Sequence, residues 1–365
     1  MKLFHEPTAE HLDRLSGPWC ASYSGGKDST ALVTWVEWLR RSGWITVDRP
    51  KLVRSDTGVE DQNLVGIAEE MTRLLESRGW ECALVRPAIH ERLYNRILGV
   101  GNLPVHPGIR RMRWCTRSTK IAPMDRHRAG VAHAGLSLTG LRLGESVTRD
   151  QKIRRSFCSA GGECGIPDPG EGRYSPILHW KTCQVIDWLS GHVGKDIRQL
   201  MADVFRVTSR LVEVYDVRFA PSLFDEQEVL SAARFGCIGC PAIGAERTPP
   251  GSVARRNGKD HPLNELYDVW FEARLPQNRC ANLKKGRVGM PGPIRMAVRE
   301  RLFARVMDIQ ARAGVMLVTP EDEVFIRQCW ANKVYPRGWS EADEAVPMPS
   351  DMPLFDFARG EEDAR

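Results

Sequence analysis

Ser24-Gly25-Gly26-Lys27-Asp28-Ser29 lies between a short apolar run, Trp19–Tyr23, and the segment Asp28–Arg41, whose apolar residues recur at helical spacing. The run predicts a β-strand, so the six residues form the turn between a strand and a helix. Two adjacent glycines let the chain turn tightly and let its backbone approach a ligand, because no Cβ atoms stand in the way. The amides at the start of the helix then face an anion, which the helix dipole attracts. The stretch therefore predicts a phosphate-binding loop.

The side chains of this loop favour the same ligand. Lys27 supplies a positive charge, and the hydroxyl groups of Ser24 and Ser29 are candidate hydrogen-bond donors. The spacing is not the G-x-x-x-x-G-K-[ST] of the Walker A loop, so the sequence indicates a phosphate loop of another kind. A plain glycine turn is the simpler interpretation of Gly25 and Gly26, but it gives no reason for the charged and hydroxyl residues that follow.

The next segments continue the alternation of strand and helix. Lys51–Ser55 and Cys82–Val85 predict strands, Glu60–Arg78 predicts a helix between them, and Leu136–Leu141 predicts a later strand. Such alternation predicts an α/β fold in which a parallel sheet carries helices on both faces. Ligands of these sheets bind beyond the carboxyl ends of the strands, which is where the phosphate loop lies.

The second half of the chain has a different pattern. Its periodic segments predict helices at Gly191–Tyr215, Leu263–Arg274, Pro293–Ala313 and Pro320–Trp330. We therefore predict four regions: a nucleotide-binding domain at 1–195, a cysteine-bearing connector at 196–250, a mainly helical C-terminal region at 251–340, and an acidic, flexible tail at 341–365.

Composition sets limits on the class of protein. The 365 residues are 42% hydrophobic and 27% charged, which is ordinary for a soluble globular protein. We find no apolar run near the ~18 residues that span a bilayer and no signal-peptide core in the first residues. We therefore expect a cytoplasmic protein without membrane contact. The net charge of +6, with arginine clusters such as Arg110–Arg113, permits a polyanionic partner.

Two further motifs follow strand ends. Asp56-Thr57-Gly58 closes the second strand, and Gly140-Leu141-Arg142 follows the late strand and leads to Glu145. Asp, Thr and Gly are also common in ordinary strand-end turns, so these motifs indicate a nucleotide site only in combination with the phosphate loop. Arg142 is a candidate to hold phosphate bidentately, and Glu145 is a candidate to bind Mg²⁺ or to orient Arg142.

Ten cysteines are many for a protein of a reducing compartment, where a disulfide framework is not expected. Cys237-Ile238-Gly239-Cys240 is a C-x-x-C pair, which can bind a metal, bind an iron–sulfur cluster or exchange thiol and disulfide. One pair does not complete a metal site. Cys115 is one candidate partner, and Cys158 with Cys164 is the other. The remaining cysteines are expected to be buried thiols without a ligand: Cys20, Cys82, Cys183, Cys280 and Cys329.

The phosphate loop, directly after a strand, resembles the PP-loop of the N-type ATP pyrophosphatases. The resemblance implies an adenine nucleotide α-hydrolase-like fold, ATP as the ligand, and cleavage of ATP between its α- and β-phosphates with the loop holding pyrophosphate. The D-T-G motif and the G-x-R-x-x-E-S-x-x-R stretch from Gly140 to Arg149 resemble the PAPS reductase branch of this family. That resemblance implies nucleotide contacts by Asp56, Thr57, Gly58, Gly140 and Arg142.

Arg113-Trp114-Cys115-Thr116, followed by Lys120-Ile121-Ala122-Pro123, resembles a segment of the DNA phosphorothioation sulfurtransferases of the DndC type, as does Arg234-Phe235-Gly236-Cys237. The resemblance implies a [4Fe–4S] cluster bound by Cys115, Cys237 and Cys240, with Cys158 or Cys164 as the fourth ligand. A rival assignment places Cys158, Cys164, Cys237 and Cys240 around a cluster or Zn²⁺ and leaves Cys115 as a thiol that carries sulfur. The family's third downstream cysteine has no counterpart near Cys240.

These resemblances imply an ATP pyrophosphatase that acts as a sulfurtransferase. ATP would adenylate a backbone phosphate of a nucleic acid, with DNA as the expected acceptor, and sulfur would then displace AMP. The implied catalytic residues are Lys27, Asp28, Cys115, Arg142 and Glu145. The implied partners are DNA, a cysteine desulfurase as sulfur donor and other phosphorothioation proteins. A PAPS or adenosine phosphosulfate reductase and a transfer-RNA thiolase remain alternatives, and the acceptor stays open between DNA, RNA and a small molecule.

Overall fold

A computed structural model describes residues 4–104, 114–130, 135–144, 150, 172–215, 237–241, 260–281 and 291–345. The chain divides into two compact units, each built from segments that are separate in the sequence. Unit 1 comprises Met1–Ser55, Asp61–Val85 and Met124–Arg234, and unit 2 comprises Asp56–Glu60, Arg86–Pro123 and Phe235–Arg365. The regions predicted from the sequence follow the order of the chain, whereas these two units interleave.

Unit 1 is built on a parallel sheet. Its strands are β1 Trp19–Tyr23, β2 Lys51–Ser55, β3 Glu81–Val85, β4 Leu136–Leu138 and β5 Arg173–Tyr174. They lie in the order β3-β2-β1-β4-β5, and every neighbouring pair is parallel. The strand order reverses at β1, which pairs with β2 on one side and β4 on the other. Open α/β sheets bind ligands at such a switch point, beyond the carboxyl ends of the strands.

The helices complete the fold. In chain order they are α1 Ala9–Leu15, α2 Lys27–Arg41, α3 Gln62–Glu76, α4 Trp114–Thr116, α5 Ala122–Gly130, α6 Thr182–Leu189, α7 Lys195–Leu200, α8 Ala202–Tyr215, α9 Glu265–Arg274, α10 Met296–Ala313 and α11 Pro320–Ala331. Tighter or wider helical turns lie at Ile89–Glu91, Asn95–Gly99, Arg117–Ile121, Pro262–Asn264, Pro276–Asn278 and Glu341–Ala345. Within the described residues, no helix combines the length and apolar character that a bilayer span needs.

Helices cover the sheet of unit 1 on both faces, as predicted. The Arg128 guanidinium of α5 donates to the Ser137 hydroxyl of β4 at 2.9 Å. On β2, the Arg54 guanidinium donates to the Val65 carbonyl of α3 at 3.4 Å. On β1, Cys20 is the partner of Ser137 and Tyr23 is the partner of Arg54. Cys20 and Tyr23 are three residues apart, so they face opposite sides of the sheet, and their strand partners do the same. The helices α5 and α3 therefore lie on opposite faces.

α2 is a core helix, whereas the sequence predicted one apolar face. All residues from Ser29 to Leu39 are buried. The polar groups among them have partners in the core: the Trp188 indole N–H donates to the Thr34 hydroxyl at 2.9 Å, and the Trp80 indole N–H donates to the Glu37 carboxylate at 2.7 Å. This burial fixes the first turn of α2, and with it the phosphate loop, against the end of β1.

The described part of unit 2 is mainly helical, as predicted for the C-terminal region. Two short antiparallel strands, β6 Arg279–Ala281 and β7 Pro291–Ile294, precede α10. The predicted helix Pro293–Ala313 therefore begins only at Met296, because Pro291–Ile294 pairs with β6. Apolar side chains of the helices meet in one core, which includes Leu98, Trp270, Leu302 and Ile326.

Asp322 ties the first turn of α11 to the rest of unit 2. Its carboxylate accepts the Thr319 amide at 3.1 Å, while the Thr319 hydroxyl accepts the Asp322 amide at 3.2 Å, which forms a capping box. The carboxylate also accepts hydrogen bonds from Arg92 at 2.9 Å and from Asn95 at 2.7 Å. Burial by itself raises the pKa of Asp322, but these hydrogen bonds outweigh it and hold the pKa below its ordinary value.

Candidate functional site

The predicted phosphate loop is a tight turn between β1 and α2 in unit 1. Gly25 has a positive φ of 72°, and an added Cβ would lie 2.8 Å from the Cβ of Ala68, so only glycine fits there without strain. Gly26 is the N-cap of α2 and supplies no side-chain oxygen for the first amides of the helix. The backbone is therefore shaped for the approach of an anion to the helix N-terminus.

The two serines of the loop hold its ends together. The hydroxyl oxygens of Ser24 and Ser29 lie 2.9 Å apart, and the Ser24 amide donates to the Ser29 hydroxyl at 3.2 Å. The Ser29 hydroxyl in turn donates to the Gly26 carbonyl at 3.1 Å. The sequence predicted these hydroxyls as donors to phosphate. The structure shows them bracing the turn, so a ligand would have to compete with these internal bonds.

Gly140 lies against the first turn of α2. A Cβ added to it would lie 2.8 Å from the Ser29 nitrogen and 2.9 Å from the Ser29 Cα, which are backbone atoms that cannot move aside. The Thr139 amide donates to the Tyr174 carbonyl at 2.9 Å, which extends the β4–β5 pairing up to this contact. Glycine is therefore required where the chain leaves β4 and passes the phosphate loop.

Three charged side chains form a chain of ion pairs beside the loop. The Asp28 carboxylate contacts Lys27 Nζ at 2.9 Å through one oxygen and Arg142 Nε at 2.6 Å through the other. The remaining guanidinium nitrogens of Arg142 donate to the Trp180 carbonyl at 2.9 Å and to the Thr182 hydroxyl at 3.3 Å. Arg142 is only 1% exposed, so in this structure it holds Asp28, where the sequence predicted a bidentate contact with phosphate.

Two cations lie beside the loop. Lys27 and Arg142 both contact the carboxylate of Asp28, and Lys27 is only 6% exposed. An anion at the start of α2 would be attracted by these cations and by the helix dipole. The electrostatics of the site therefore favour the ligand that the backbone geometry favours.

Tyr215, the last residue of α8, also contacts the loop. The Lys27 amide donates to the Tyr215 hydroxyl at 3.1 Å, and the Lys27 ammonium lies 5.6 Å from the centre of the tyrosine ring. Sequence reasoning missed this residue, because 188 positions separate the two partners and no local pattern marks the tyrosine.

The D-T-G motif follows β2 directly and belongs to unit 2. The Gly58 amide donates to the Asp56 carboxylate at 2.9 Å, and Gly58 has a positive φ of 72°, so the motif forms a closed turn. The other oxygen of Asp56 pairs with Arg86 Nε at 2.9 Å. Thr57 is 3% exposed, and its hydroxyl has no hydrogen-bond partner among the described residues. Arg86 was not predicted from the sequence, although it stands directly after β3.

The C-x-x-C pair sits on the core of unit 2. The Ile238 amide donates to the Val59 carbonyl at 2.8 Å, and the Trp270 indole N–H donates to the Gly239 carbonyl at 2.7 Å. A Cβ added to Gly239 would lie 2.5 Å from Leu266, and its φ is +51°, so glycine is needed at this position. The pair is therefore held by backbone and core contacts, independently of any ligand.

Cys115 lies in the same neighbourhood as the pair. Burial raises the pKa of the Cys237 thiol, nearby Cys240 and Cys115 act in the same direction and Lys120 opposes them, and the pKa that results is about 12. Lys120 pairs with Glu60 at 2.8 Å. Burial lowers the pKa of Lys120, but Glu60, Cys237 and Cys115 outweigh burial and leave the pKa raised. Three thiols and one cation thus share a partly buried region.

Arg96 fixes the short helix that carries Cys115. Its guanidinium lies 4.1 Å from the centre of the Trp114 ring and donates to the Ser118 hydroxyl at 2.7 Å. Both Trp114 and Cys115 pack against the core of unit 2. The cysteine is therefore presented from a braced turn. Arg96 lies within a wide helical turn, Asn95–Gly99, and sequence reasoning did not single it out.

No protein-family model and no curated protein matches the chain. Among solved structures, it is similar to a phosphoadenylyl-sulfate (PAPS) reductase from Candida auris in a phosphate complex, with 11% sequence identity and a TM-score of 0.30. That similarity covers 54% of this chain and 93% of the reductase. An identity and a score this low carry no inference about what this chain binds.

The structure brings the predicted residues together in three groups. The loop residues with Gly140 and Arg142 form the first, the D-T-G turn forms the second, and Cys115 with Cys237 and Cys240 forms the third. Glu145, Cys158 and Cys164 lie outside the described residues. Among those described, no three His, Cys, Asp or Glu side chains are placed to hold a metal ion.

The three described thiols are the type of ligand that an iron–sulfur cluster takes, although they are not placed to hold a metal ion in this structure. Thiolate sulfur is the usual ligand of such clusters and also binds Zn²⁺. Cys115 and Cys240 both act electrostatically on Cys237, and none of the three takes part in a disulfide. A fourth ligand would have to come from elsewhere. Two of the cysteines expected to be buried thiols are not: Cys183 is exposed, and Cys82 is partly exposed.

Proposed function

We propose that this protein is an ATP-dependent sulfurtransferase that splits ATP between the α- and β-phosphates and transfers sulfur to a backbone phosphate of a nucleic acid. The observation that carries the proposal is the shared carboxylate of Asp28 at the start of α2, with Lys27 and Arg142 on its two oxygens. A glycine turn, the amides of a buried helix and two cations meet at this point. Together they suit a polyphosphate leaving group.

We propose the following activation step at this site. A phosphate oxygen of the acceptor forms a bond to the α-phosphorus of ATP, and the bond between that phosphorus and the α–β bridging oxygen breaks. Pyrophosphate leaves with the electron pair, and its charge increases as it leaves. Lys27 and the first amides of α2 stabilise that developing charge, and Mg²⁺ would neutralise part of it if it were bound with ATP. Asp28 fixes the Lys27 ammonium, and Arg142 fixes Asp28.

The proposed sulfur step uses three cysteine thiols of unit 2. Sulfide forms a bond to the activated phosphorus of the acceptor, and AMP leaves with the electron pair of the broken P–O bond, so that a phosphorothioate remains. Sulfur delivered as a persulfide first has to gain two electrons, which a dithiol supplies as it becomes a disulfide. Cys115, Cys237 and Cys240 are the residues proposed to hold a [4Fe–4S] cluster, which would supply a site for sulfide, and Zn²⁺ is the alternative ion. A separate cysteine desulfurase is the proposed sulfur donor, and other phosphorothioation proteins are proposed partners.

DNA is the proposed acceptor. The net charge of +6 favours a polyanionic partner, and the activation step requires a phosphate oxygen as nucleophile. Both requirements are met by any nucleic-acid backbone, so the experiment has to identify the acceptor directly.

The test is mass spectrometry of nuclease-digested DNA from cells that carry the intact gene neighbourhood. The strain with the wild-type protein should yield phosphorothioate dinucleotides, and a Lys27→Ala strain should yield none, because the leaving group loses its cation. Lys51→Ala is the matched control, since Lys51 lies in the same unit, is more than a third exposed and pairs loosely with Glu81 at 3.9 Å. Full modification in the Lys27→Ala strain would refute the role of the loop.

The same strains separate the alternatives. If no strain contains phosphorothioate, and the Lys27→Ala strain cannot grow on sulfate as its only sulfur source, the chain reduces a sulfonucleotide and the proposal fails. If modified nucleosides disappear from transfer RNA in the variant while DNA is unchanged, the acceptor is transfer RNA. Pyrophosphate release by the purified protein, measured with each acceptor in turn, then identifies the reaction.

A further inference from the structure

The hydroxyl of Tyr215 accepts a hydrogen bond from the first amide of α2, within the phosphate loop. Lys27 is the first residue of α2, and its N–H is one of the orphan donors that an anion at a helix N-terminus would use. In the structure this N–H donates to the Tyr215 oxygen at 3.1 Å. A Cβ added to Gly26 would lie 3.4 Å from the same oxygen, so the hydroxyl lies against the turn itself.

The position of Tyr215 is set by the rest of α8. Asp203, at the start of this helix, pairs with Arg78, and the Thr208 hydroxyl in its middle donates to the Leu189 carbonyl at 2.6 Å. Near its end, Arg210 pairs with Glu70 of α3. The start, middle and end of α8 are thus each bound to other elements of unit 1. These contacts hold the Tyr215 hydroxyl against the loop.

We propose that Tyr215 is an internal competitor for the phosphate site, and that a bound phosphate oxygen must displace its hydroxyl from the Lys27 amide. The inference rests on the proposed function, because it takes the loop to bind the pyrophosphate part of ATP. The hydroxyl oxygen accepts the hydrogen bond that a phosphate oxygen would accept, and one N–H cannot serve both well. Binding of phosphate is thereby linked to release of the last residue of α8.

The ring and the hydroxyl of Tyr215 act differently on the loop. The ring lies within cation–π range of the Lys27 ammonium at 5.6 Å and helps to hold that side chain, whether or not phosphate is bound. The hydroxyl alone competes for the amide. Tyr215→Phe removes the oxygen and keeps the ring, so it isolates the competition. The wild type loses one hydrogen bond when phosphate binds and the variant does not, so the variant should bind more tightly.

The experiment is calorimetric titration of the full-length protein with inorganic pyrophosphate in the presence of Mg²⁺. Tyr215→Phe should bind about threefold to tenfold more tightly than the wild type, which is the net effect of one hydrogen bond. Tyr174→Phe is the matched control, because Tyr174 is a buried tyrosine of the same unit whose ring faces His11 and Arg14. It should bind as the wild type does. Equal or weaker binding by Tyr215→Phe would overturn the inference.

A second measurement uses the wild-type protein alone. With ¹³C at the hydroxyl-bearing ring carbon of tyrosine, the Tyr215 resonance should move when pyrophosphate is added, because the hydroxyl loses the Lys27 amide. A resonance that stays in place at saturation would overturn the inference. If the wild type binds no pyrophosphate, or if Lys27→Ala binds it equally well, the phosphate loop itself is refuted. If binding depends on Lys27 but is insensitive to Tyr215, only the competition is refuted.

Discussion

Replacing Asp28 by asparagine removes the one negative charge that two cations share. Asp28 lies 2.6 Å from Arg142 Nε and 2.9 Å from Lys27 Nζ, and both cationic side chains are almost inaccessible to solvent. Removing one partner of a buried ion pair costs about 3–5 kcal/mol, because an uncompensated charge stays buried. The Asp28 side chain keeps 14% exposure, which lets water screen part of that charge. We therefore expect Asp28→Asn to lower the free energy of unfolding by about 3 kcal/mol.

The assay is hydrogen exchange of the α2 amides in increasing urea. It reports the unfolding free energy of unit 1 without assuming that both units unfold together. Asp125→Asn is the control, because Asp125 forms a surface pair with Arg128 and its side chain is 48% exposed. The control should change stability by no more than about 0.5 kcal/mol.

A double variant separates the ion pair from other effects of the substitution. Asp28→Asn combined with Arg142→Met removes both charges of the buried pair, and it should recover part of the stability that the single variant loses. The reasoning would be refuted if Asp28→Asn were as stable as the Asp125→Asn control. It would also be refuted if the double variant lost the sum of the two single effects.

Three further predictions follow from particular contacts. Gly140→Ala places a Cβ 2.8 Å from the Ser29 nitrogen, so it should destabilise unit 1 by about 1–3 kcal/mol and impair pyrophosphate binding, as urea unfolding and calorimetry would show. Cys237→Ala should lose iron from anaerobically purified protein, whereas the exposed Cys183→Ala should keep it; equal iron content would remove Cys237 from the ligand set. The folded pKa of Asp322 is depressed, so its stabilising effect is present above the ordinary carboxyl pKa of about 4 and is lost as the pH falls through the folded value. Asp322→Asn should therefore be less stable at neutral pH and lose less stability on acidification in pH-dependent urea titrations.

Much of the fold could be predicted because its signals are local. The apolar runs at β1 and β2 were placed with their observed bounds, and α2 differs by one residue at its start. Each of these elements is fixed by the period of its own apolar residues, so neighbouring sequence suffices. The predicted helix at Gly191–Tyr215 is instead two helices that meet at Met201, and no apolar pattern marks that break.

The membership of the two units could not be predicted from the order of segments along the chain. Residues 86–123 belong to the same unit as residues 235–365, whereas residues 124–234 belong to the unit of the parallel sheet. Such an arrangement depends on which surfaces meet after folding, and periodicity within one segment carries no information about that. The Lys27 contact with Tyr215 and the Arg96 contact with Trp114 escaped prediction for the same reason.

Arg142 shows what a motif can and cannot specify. The sequence marked Arg142 as a candidate phosphate contact, and in the structure its Nε donates to Asp28 of the phosphate loop at 2.6 Å. The motif does not tell whether the guanidinium faces the ligand or a neighbouring carboxylate. In the structure Arg142 is 1% exposed, and its guanidinium donates to Asp28, Trp180 and Thr182. It can reach a ligand only by giving up these partners. Its charge therefore acts on the site through Asp28, which in turn sets the position of the Lys27 ammonium.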